Sequence, residues 1–217
     1  TRSVTNFAAS VRARLSTEAK RRNTDFQLIL QRYAAERFLY RIGVSPHRDR
    51  FVLKGAMLFV LWDEASARPT RDLDLAGYWA NDVESLAEAM REICSVAHDQ
   101  DGLAYSLATM TVEPIRIADQ YHGFRVQLDV LLAGAKIPFQ IDIGFGDAIV
   151  PEPVDVDYPT LLGGMAPNVR AYPREALISE KLHAMVTHGE ANSRYKDFYD
   201  IFVLCTRYEF SGATLAS

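Results

Sequence analysis

The chain has 217 residues, 48% of them hydrophobic and 11% aromatic, with 24 Lys and Arg against 28 Asp and Glu and a formal net charge of −4. This balance excludes a disordered chain, a collagen-like repeat and a disulfide-stapled mini-protein, and the length suits one large domain or two small ones with a sizeable core. Charge is unevenly spread: residues 1–54 hold 12 of the basic residues and 4 of the acidic ones, a basic segment on an acidic body that suits either local polyanion contact or a solvated helix face.

Residues 3–43 read as helical, with Phe7, Val11 and Leu15 on one stripe and Phe26, Ile29, Leu30, Tyr33, Phe38 and Leu39 on the next. Asn23-Thr24-Asp25 separates two helices and caps the second. Phe51 to Gly55 reads as a strand edge or a helix entry and leads into an apolar helix from Ala56 to Trp62. Thr70 to Ala76 reads as a strand, residues 82–98 as an amphipathic helix, and 103–117, 121–131 and 136–144 as successive strands, with turns at His122-Gly123 and Ala133-Gly134. Residues 151–168 are Pro-rich and irregular. Pro173 opens a helix that Gly189 closes, and another starts near Arg194, with Phe198, Ile201, Phe202 and Cys205 as its packing face. There is no apolar run of about 18 residues to cross a membrane and no signal peptide in Thr1 to Lys20. Cys94 and Cys205 read as reduced thiols, which suits a cytoplasmic protein.

The chemistry begins in Arg68-Pro69-Thr70-Arg71-Asp72-Leu73-Asp74-Leu75. On a strand Leu73 and Leu75 face the core, so Asp72 and Asp74 share the other face. Two carboxylates so placed repel one another, and either solvent or a hard divalent cation, Mg²⁺ or Mn²⁺, relieves that. In Phe139-Gln140-Ile141-Asp142-Ile143-Gly144-Phe145 the apolar residues again take one face, leaving Asp142 opposite, beside a glycine that leaves room. A neighbouring strand would bring Asp142 against Asp72 and Asp74, the arrangement of two-metal phosphoryl transfer. Lys54-Gly55-Ala56 is a small-residue turn that could offer backbone N–H groups to phosphate or could serve packing alone. Lys181 has Leu177, Ile178, Ala184 and Met185 as helical neighbours, so it either snorkels or meets a buried anion. Asp197 and Asp200 share a flank and could hold Lys181, Lys196 or Arg194. No zinc cluster, nucleophile elbow or dinucleotide fingerprint is present.

Together these stretches, with Gln140 to Asp147, Ala171-Tyr172-Pro173-Arg174-Glu175, Glu180-Lys181-Leu182-His183-Ala184 and Asn192 to Asp200, resemble in content and order the AbiEii/AbiGii-type nucleotidyltransferase toxins of bacterial toxin–antitoxin systems. The resemblance implies an α+β fold: a DNA polymerase β-like nucleotidyltransferase core with a mixed sheet, flanked by N-terminal and C-terminal helices. It implies Mg²⁺ (or Mn²⁺) on Asp72 and Asp74, with Asp142 as third metal ligand or base. Lys181 matches a lysine near the triphosphate, and Asp197 the acid of the last motif. Lys54, Gly55, Ala56 and Thr70 join Lys181 as nucleotide-binding candidates. Related MenT-type toxins transfer nucleotides to the tRNA 3′ end, so the resemblance implies an NTP substrate, a tRNA acceptor and a cognate antitoxin. Arg12, Arg14, Lys20, Arg21 and Arg22 are the candidates for tRNA contact, and Tyr121, His122 and Arg125 for a base pocket.

Two departures stand out. Gly55-Ala56-Met57 lacks the hydroxyl residue common at this point in the family, and the chain ends soon after the last motif, as a short member or a C-terminally truncated fragment would. The expected division is 1–150 for the N-terminal helices and core and 151–217 for a C-terminal helical segment. The alternatives are a protein or small-molecule acceptor, or a non-catalytic nucleotide- or nucleic-acid-binding module.

Overall fold

The computed structural model describes residues 4–64, 67–78, 82–98, 100–117, 121–146, 148–188 and 195–215. Helices α1 (Val4–Arg21) and α2 (Phe26–Val44) are separated where expected, and the Asp25 carboxylate caps α2 by accepting from the backbone N–H groups of Gln27 and Leu28. Strand β1 (Phe51–Lys54) runs into a 3-10 turn, Gly55–Met57, and the short helix α3 (Leu58–Trp62), where the sequence suggested a single helix. Then come β2 (Asp72–Gly77), α4 (Val83–Ser95), β3 (Ala104–Ile117), β4 (Tyr121–Leu132) and β5 (Ala135–Phe145). The stretch read as irregular contributes β6 (Val154–Asp157), and β7 (Asn168–Ala171) begins at its end. Both are four residues long and β6 is largely exposed, which leaves little alternation to read. Helices α5 (Arg174–His188), α6 (Tyr195–Arg207) and α7 (Gly212–Leu215) follow.

Among the described residues the strands form one mixed seven-stranded sheet in the order β3-β4-β5-β2-β1-β7-β6. β2 lies parallel to β5 and antiparallel to β1, and β7 runs parallel to β1 on its other side. The β4–β5 hairpin closes as the sequence suggested: Ala133 and Gly134, at φ 45° and 79°, form a two-residue loop between the partners Leu132 and Ala135. His122-Gly123 is not a turn. Gly123 lies within β4, opposite Ile115 and Gly144, and a Cβ there would stand 2.8 Å from the Ile143 carbonyl oxygen, so the glycine serves close strand approach. The β3–β4 connection at 118–120 lies outside the described residues.

One face of the sheet is covered by α2. Phe38 packs edge-on against Phe139 at 5.4 Å and tilts over Tyr105 at 5.8 Å between ring centroids. Leu73, Leu75, Ile141 and Ile143 are buried on β2 and β5, each contributing about 1.5–3 kcal/mol. Helix α2 also buries charge in pairs. Arg41 donates to Asp101 at 2.5 Å, and Glu36 accepts from the Leu161 N–H at 2.7 Å beside Arg37. Core-facing residues on β2 and β5 thus leave the alternate positions, Asp72, Asp74, Gln140 and Asp142, to the other face.

The packing face of α6 differs from the expected one. Asp197, Asp200, Val203 and Leu204 are buried, while Phe198 and Phe202 are 49% and 65% exposed and Cys205 is exposed. Cations beneath the helix decide this orientation, as the site geometry shows.

Candidate active site

The parallel pairing of β2 with β5 brings together the two acidic strands. Asp74 is the register partner of Asp142, and Asp72 that of Gln140. Lys54 of β1 sits opposite Asp74, and Arg125 of β4 opposite Asp142. The result is one cross-strand row of charges, Lys54, Asp74, Asp142, Arg125, with two acids between two bases. Strands lie about 4.8 Å apart, so each member feels its neighbours directly.

Asp142 is engaged by Arg125, whose Nε and Nη2 donate to its two carboxylate oxygens, both at 2.8 Å. Gln140 adds a third donor at 3.3 Å and is itself held through its side-chain oxygen by Gln127 at 3.0 Å. Asp72 and Asp74 have a different environment. Burial pushes the Asp74 carboxyl up to about 6 against the pull of Lys54, with Asp142, Glu180 and Asp72 adding to the rise. Burial, then Asp142, also raises Asp72, against Arg125, Lys196 and Arg71. A hard cation with oxygen ligands fits this donor pair, since it replaces mutual repulsion and lost hydration with direct coordination. Among the described residues no three His, Cys, Asp or Glu side chains form a ready-made cage. Asp72 and Asp74 share one strand face, and Asp142 beside them is bound to Arg125.

Gly55 leaves room for the Asp74 carboxylate by having no side chain. Its φ is +71°, and a Cβ would stand 2.1 Å from Asp74 Oδ2. Gly144, the glycine beside Asp142, leaves room as expected, and the room is used: the Lys54 ammonium lies 3.4 Å from where its Cβ would be. Lys54 therefore reaches from β1 across β2 to the face of β5. Its Nζ also donates to Glu180 Oε1 at 3.2 Å. Glu180 was not singled out from the sequence. It precedes Lys181 on α5, and about 100° of helical rotation per residue sends the two to different neighbours.

Lys181 is 7% exposed and its anion is internal: it meets Asp197 at 2.9 Å and Asp200 at 2.7 Å. Arg68, just ahead of the acidic strand, clamps the wholly buried Asp200 with both arms at 3.0 and 3.1 Å. These contacts fasten α6 to α5 and to the loop that enters β2, and they draw the acidic flank of α6 inward and its phenylalanines outward. The sequence suggested that Asp197 and Asp200 could hold Lys181, as they do, but gave no sign of Arg68 as a second partner of Asp200, because that pairing spans 132 residues. Asp147 and Asn192 to Arg194 lie outside the described residues, as do the side chains of Tyr121 and His122.

Two cavities share Arg71 and Asp72 in their walls. One, of about 430 Å³, extends along the polar face of β4 and β5 past Thr111, Gln127 and Gln140. The other, of about 480 Å³, is lined by Ala56, Thr70, Arg68, Arg21, Arg22 and Arg32 among others. Of the basic residues on α1 and the following turn, Arg12 and Lys20 are exposed, whereas Arg14 donates to the Leu162 carbonyl and Arg21 and Arg22 pair with Glu18. Arg22 also meets Glu64, which Arg32 shares.

A model of the nucleotidyl transferase AbiEii toxin family of type IV toxin–antitoxin systems matches residues 37–217. No curated protein matches. Among solved structures the chain is similar to a Helicobacter pylori protein proposed to be a nucleotidyltransferase, at 17% identity and a TM-score of 0.54, over 85% of this chain and 70% of that one. It is likewise similar to JHP933 from Helicobacter pylori, at 15% identity and a TM-score of 0.54, over 85% of this chain and 68% of that one. At these identities the likeness speaks for the fold. With the family match spanning everything from mid-α2 onward, including both acidic strands, the chain belongs to the AbiEii nucleotidyltransferase toxin family.

Proposed function

We propose that the chain is a divalent-cation-dependent nucleotidyltransferase that moves a nucleoside monophosphate from an NTP to an acceptor hydroxyl, with the tRNA 3′ end as acceptor. The observation that carries this reading is the Asp72 and Asp74 pair, both raised by burial on the open face of a central strand and flanked by Asp142. Asp72 and Asp74 would hold the cation, which supplies charge neutralisation on the phosphates. The acceptor oxygen attacks the α-phosphorus, the bond to the bridging oxygen breaks and pyrophosphate leaves. Such a reaction needs mainly positioning and charge compensation.

The chain's own residues have distinct parts in this proposal. Asp142 either joins the cation site or takes the acceptor proton once Arg125 lets it go. Gly55 keeps the backbone close to Asp74 and to an incoming phosphate. Ala56 and Thr70 line a cavity that also holds Asp72 and is of a size suited to a nucleotide. Lys181 and Asp197 act as a pair that sets α6 beside the site, and Lys196 from the same helix contributes positive charge toward Asp72. Exposed Arg12 and Lys20, with Arg14, Arg21 and Arg22, are the proposed tRNA contacts. A cytoplasmic setting, where NTP and tRNA are found, and a cognate antitoxin complete the reading. Among the described residues no helix is long and apolar enough to cross a membrane.

The test is incubation with Mg²⁺, total tRNA and each α-labelled NTP in turn. Label on tRNA 3′ ends supports the reading. Label on the protein or on a small molecule would replace the acceptor, and no transfer with nucleotide still bound would reduce the chain to a binding module.

A further inference from the structure

Lys54 is the cation of the acidic face that stands opposite Asp74. Its backbone is the register partner of Asp74, its side chain crosses β2, and its ammonium rests over Gly144. Gly144 leaves the ammonium room over β5: a Cβ there would already be in van der Waals contact with it, at 3.4 Å. On the far side Glu180 accepts from Lys54 at 3.2 Å. The other oxygen of Glu180, Oε2, is buried and makes no hydrogen bond among the described residues. A carboxylate with one buried oxygen unsatisfied is unusual, and its nearest compensation is positive charge. Glu180 also repels Asp74, so Lys54 is the charge that reconciles two acids from different elements.

We propose that the Lys54 ammonium is the resident counter-ion of Asp74, competing with the divalent cation for that carboxylate, and that Glu180 is the positioning residue that receives Lys54 when the cation enters. The inference rests on the cation site described under the proposed function. Without a divalent ion, Lys54 is shared between Asp74 and Glu180. With one bound, Asp74 is neutralised by the ion, Lys54 shifts toward Glu180, and its ammonium stays on the face where phosphate oxygens arrive. Lys181, the cation expected from sequence to meet the triphosphate, is held by Asp197 and Asp200, which leaves Lys54 better placed for that task.

The test is Mn²⁺ titration of the whole chain, read by electron paramagnetic resonance of the free ion, with no nucleotide present. Lys54→Met is expected to bind Mn²⁺ about five- to tenfold tighter than the parent, because a half-buried competing charge is gone. Lys54→Arg, which keeps the charge, should restore parent affinity. Glu180→Gln is expected to bind about three- to fivefold more weakly, since Lys54 then settles fully on Asp74. On a Lys54→Met background Glu180→Gln should change affinity by less than about twofold, the signature of action through Lys54. With nucleotide present, Glu180→Gln should raise the NTP KM more than it lowers kcat. Lys54→Met with unchanged or weaker affinity would overturn the competition. A full Glu180→Gln effect on that background would make Glu180 a direct ligand and overturn its positioning role. A parent protein that binds no Mn²⁺ in the same titration would instead remove the cation site itself, and with it the basis for this inference.

Discussion

At Gly55 two constraints meet in one residue. Its φ of +71° disfavours any L side chain, and the space a Cβ would need is taken by the Asp74 carboxylate. Gly55→Ala is therefore expected to cost about 2–4 kcal/mol in denaturant unfolding and to weaken divalent cation binding, since Asp74 must move to admit the methyl. An alanine variant with parent stability and parent affinity would show that Asp74 does not depend on this contact. The residue scale is also where the sequence was most legible. Alternation placed Asp72, Asp74 and Asp142 on the open face because core leucines and isoleucines alternate with them. It gave no notice of Arg125 as the partner of Asp142 or of Glu180 as the partner of Lys54, since both pairings depend on which elements lie adjacent.

At the scale of elements, α6 shows how charge overrides apolar pattern. A helix with Phe198, Ile201, Phe202 and Cys205 on one stripe reads as packing through that stripe. Lys181 and Arg68 instead hold Asp197 and Asp200 inward, because a buried cation without its partner costs more than an exposed phenylalanine. Asp200→Ala is expected to destabilise by about 3–5 kcal/mol, while Phe202→Ser changes stability by less than about 0.5 kcal/mol. Thermal unfolding of the two variants side by side checks this, and the opposite ranking would mean that the apolar stripe packs in solution. Similar reasoning explains the two short strands. β6 and β7 form because β7 finds the free edge of β1, a tertiary event that leaves no periodicity in four residues.

For the molecule as a whole, the electrostatic arrangement predicts a pH dependence with a definite sign. Asp74 is raised to about 6 and Glu36 to about 7, both mainly by burial. A folded carboxyl with a raised pKa holds a proton that the unfolded chain has already lost, so these groups favour folding at lower pH and oppose it once they ionise. Metal-free protein should lose stability between about pH 4, where the unfolded carboxyls ionise, and about pH 7, where the folded ones have, by a few degrees of Tm. Asp74→Asn should remove part of that slope and be more stable than the parent at pH 7.5 by about 1–2 kcal/mol. Glu18, held low to about 2 by Arg21 and Arg22, is ionised throughout this window and does not contribute to the slope. A flat profile for the parent, or an Asp74→Asn variant less stable than it, would contradict this account. The overall plan, helices around a mixed sheet with the acids at its centre, was readable from pattern and motif order, but strand order was not, because β2 and β5 meet across a long intervening stretch.

Nucleotide transfer by Asp74→Asn beside the parent, with Mg²⁺ and with chelator, is the most direct test of the central claim. The account predicts a variant that is folded and at least as stable as the parent, with transfer lowered by about a hundredfold or more, and a parent silenced by the chelator. An Asp74→Asn variant that transfers at the parent rate, or a parent indifferent to chelation, would contradict it.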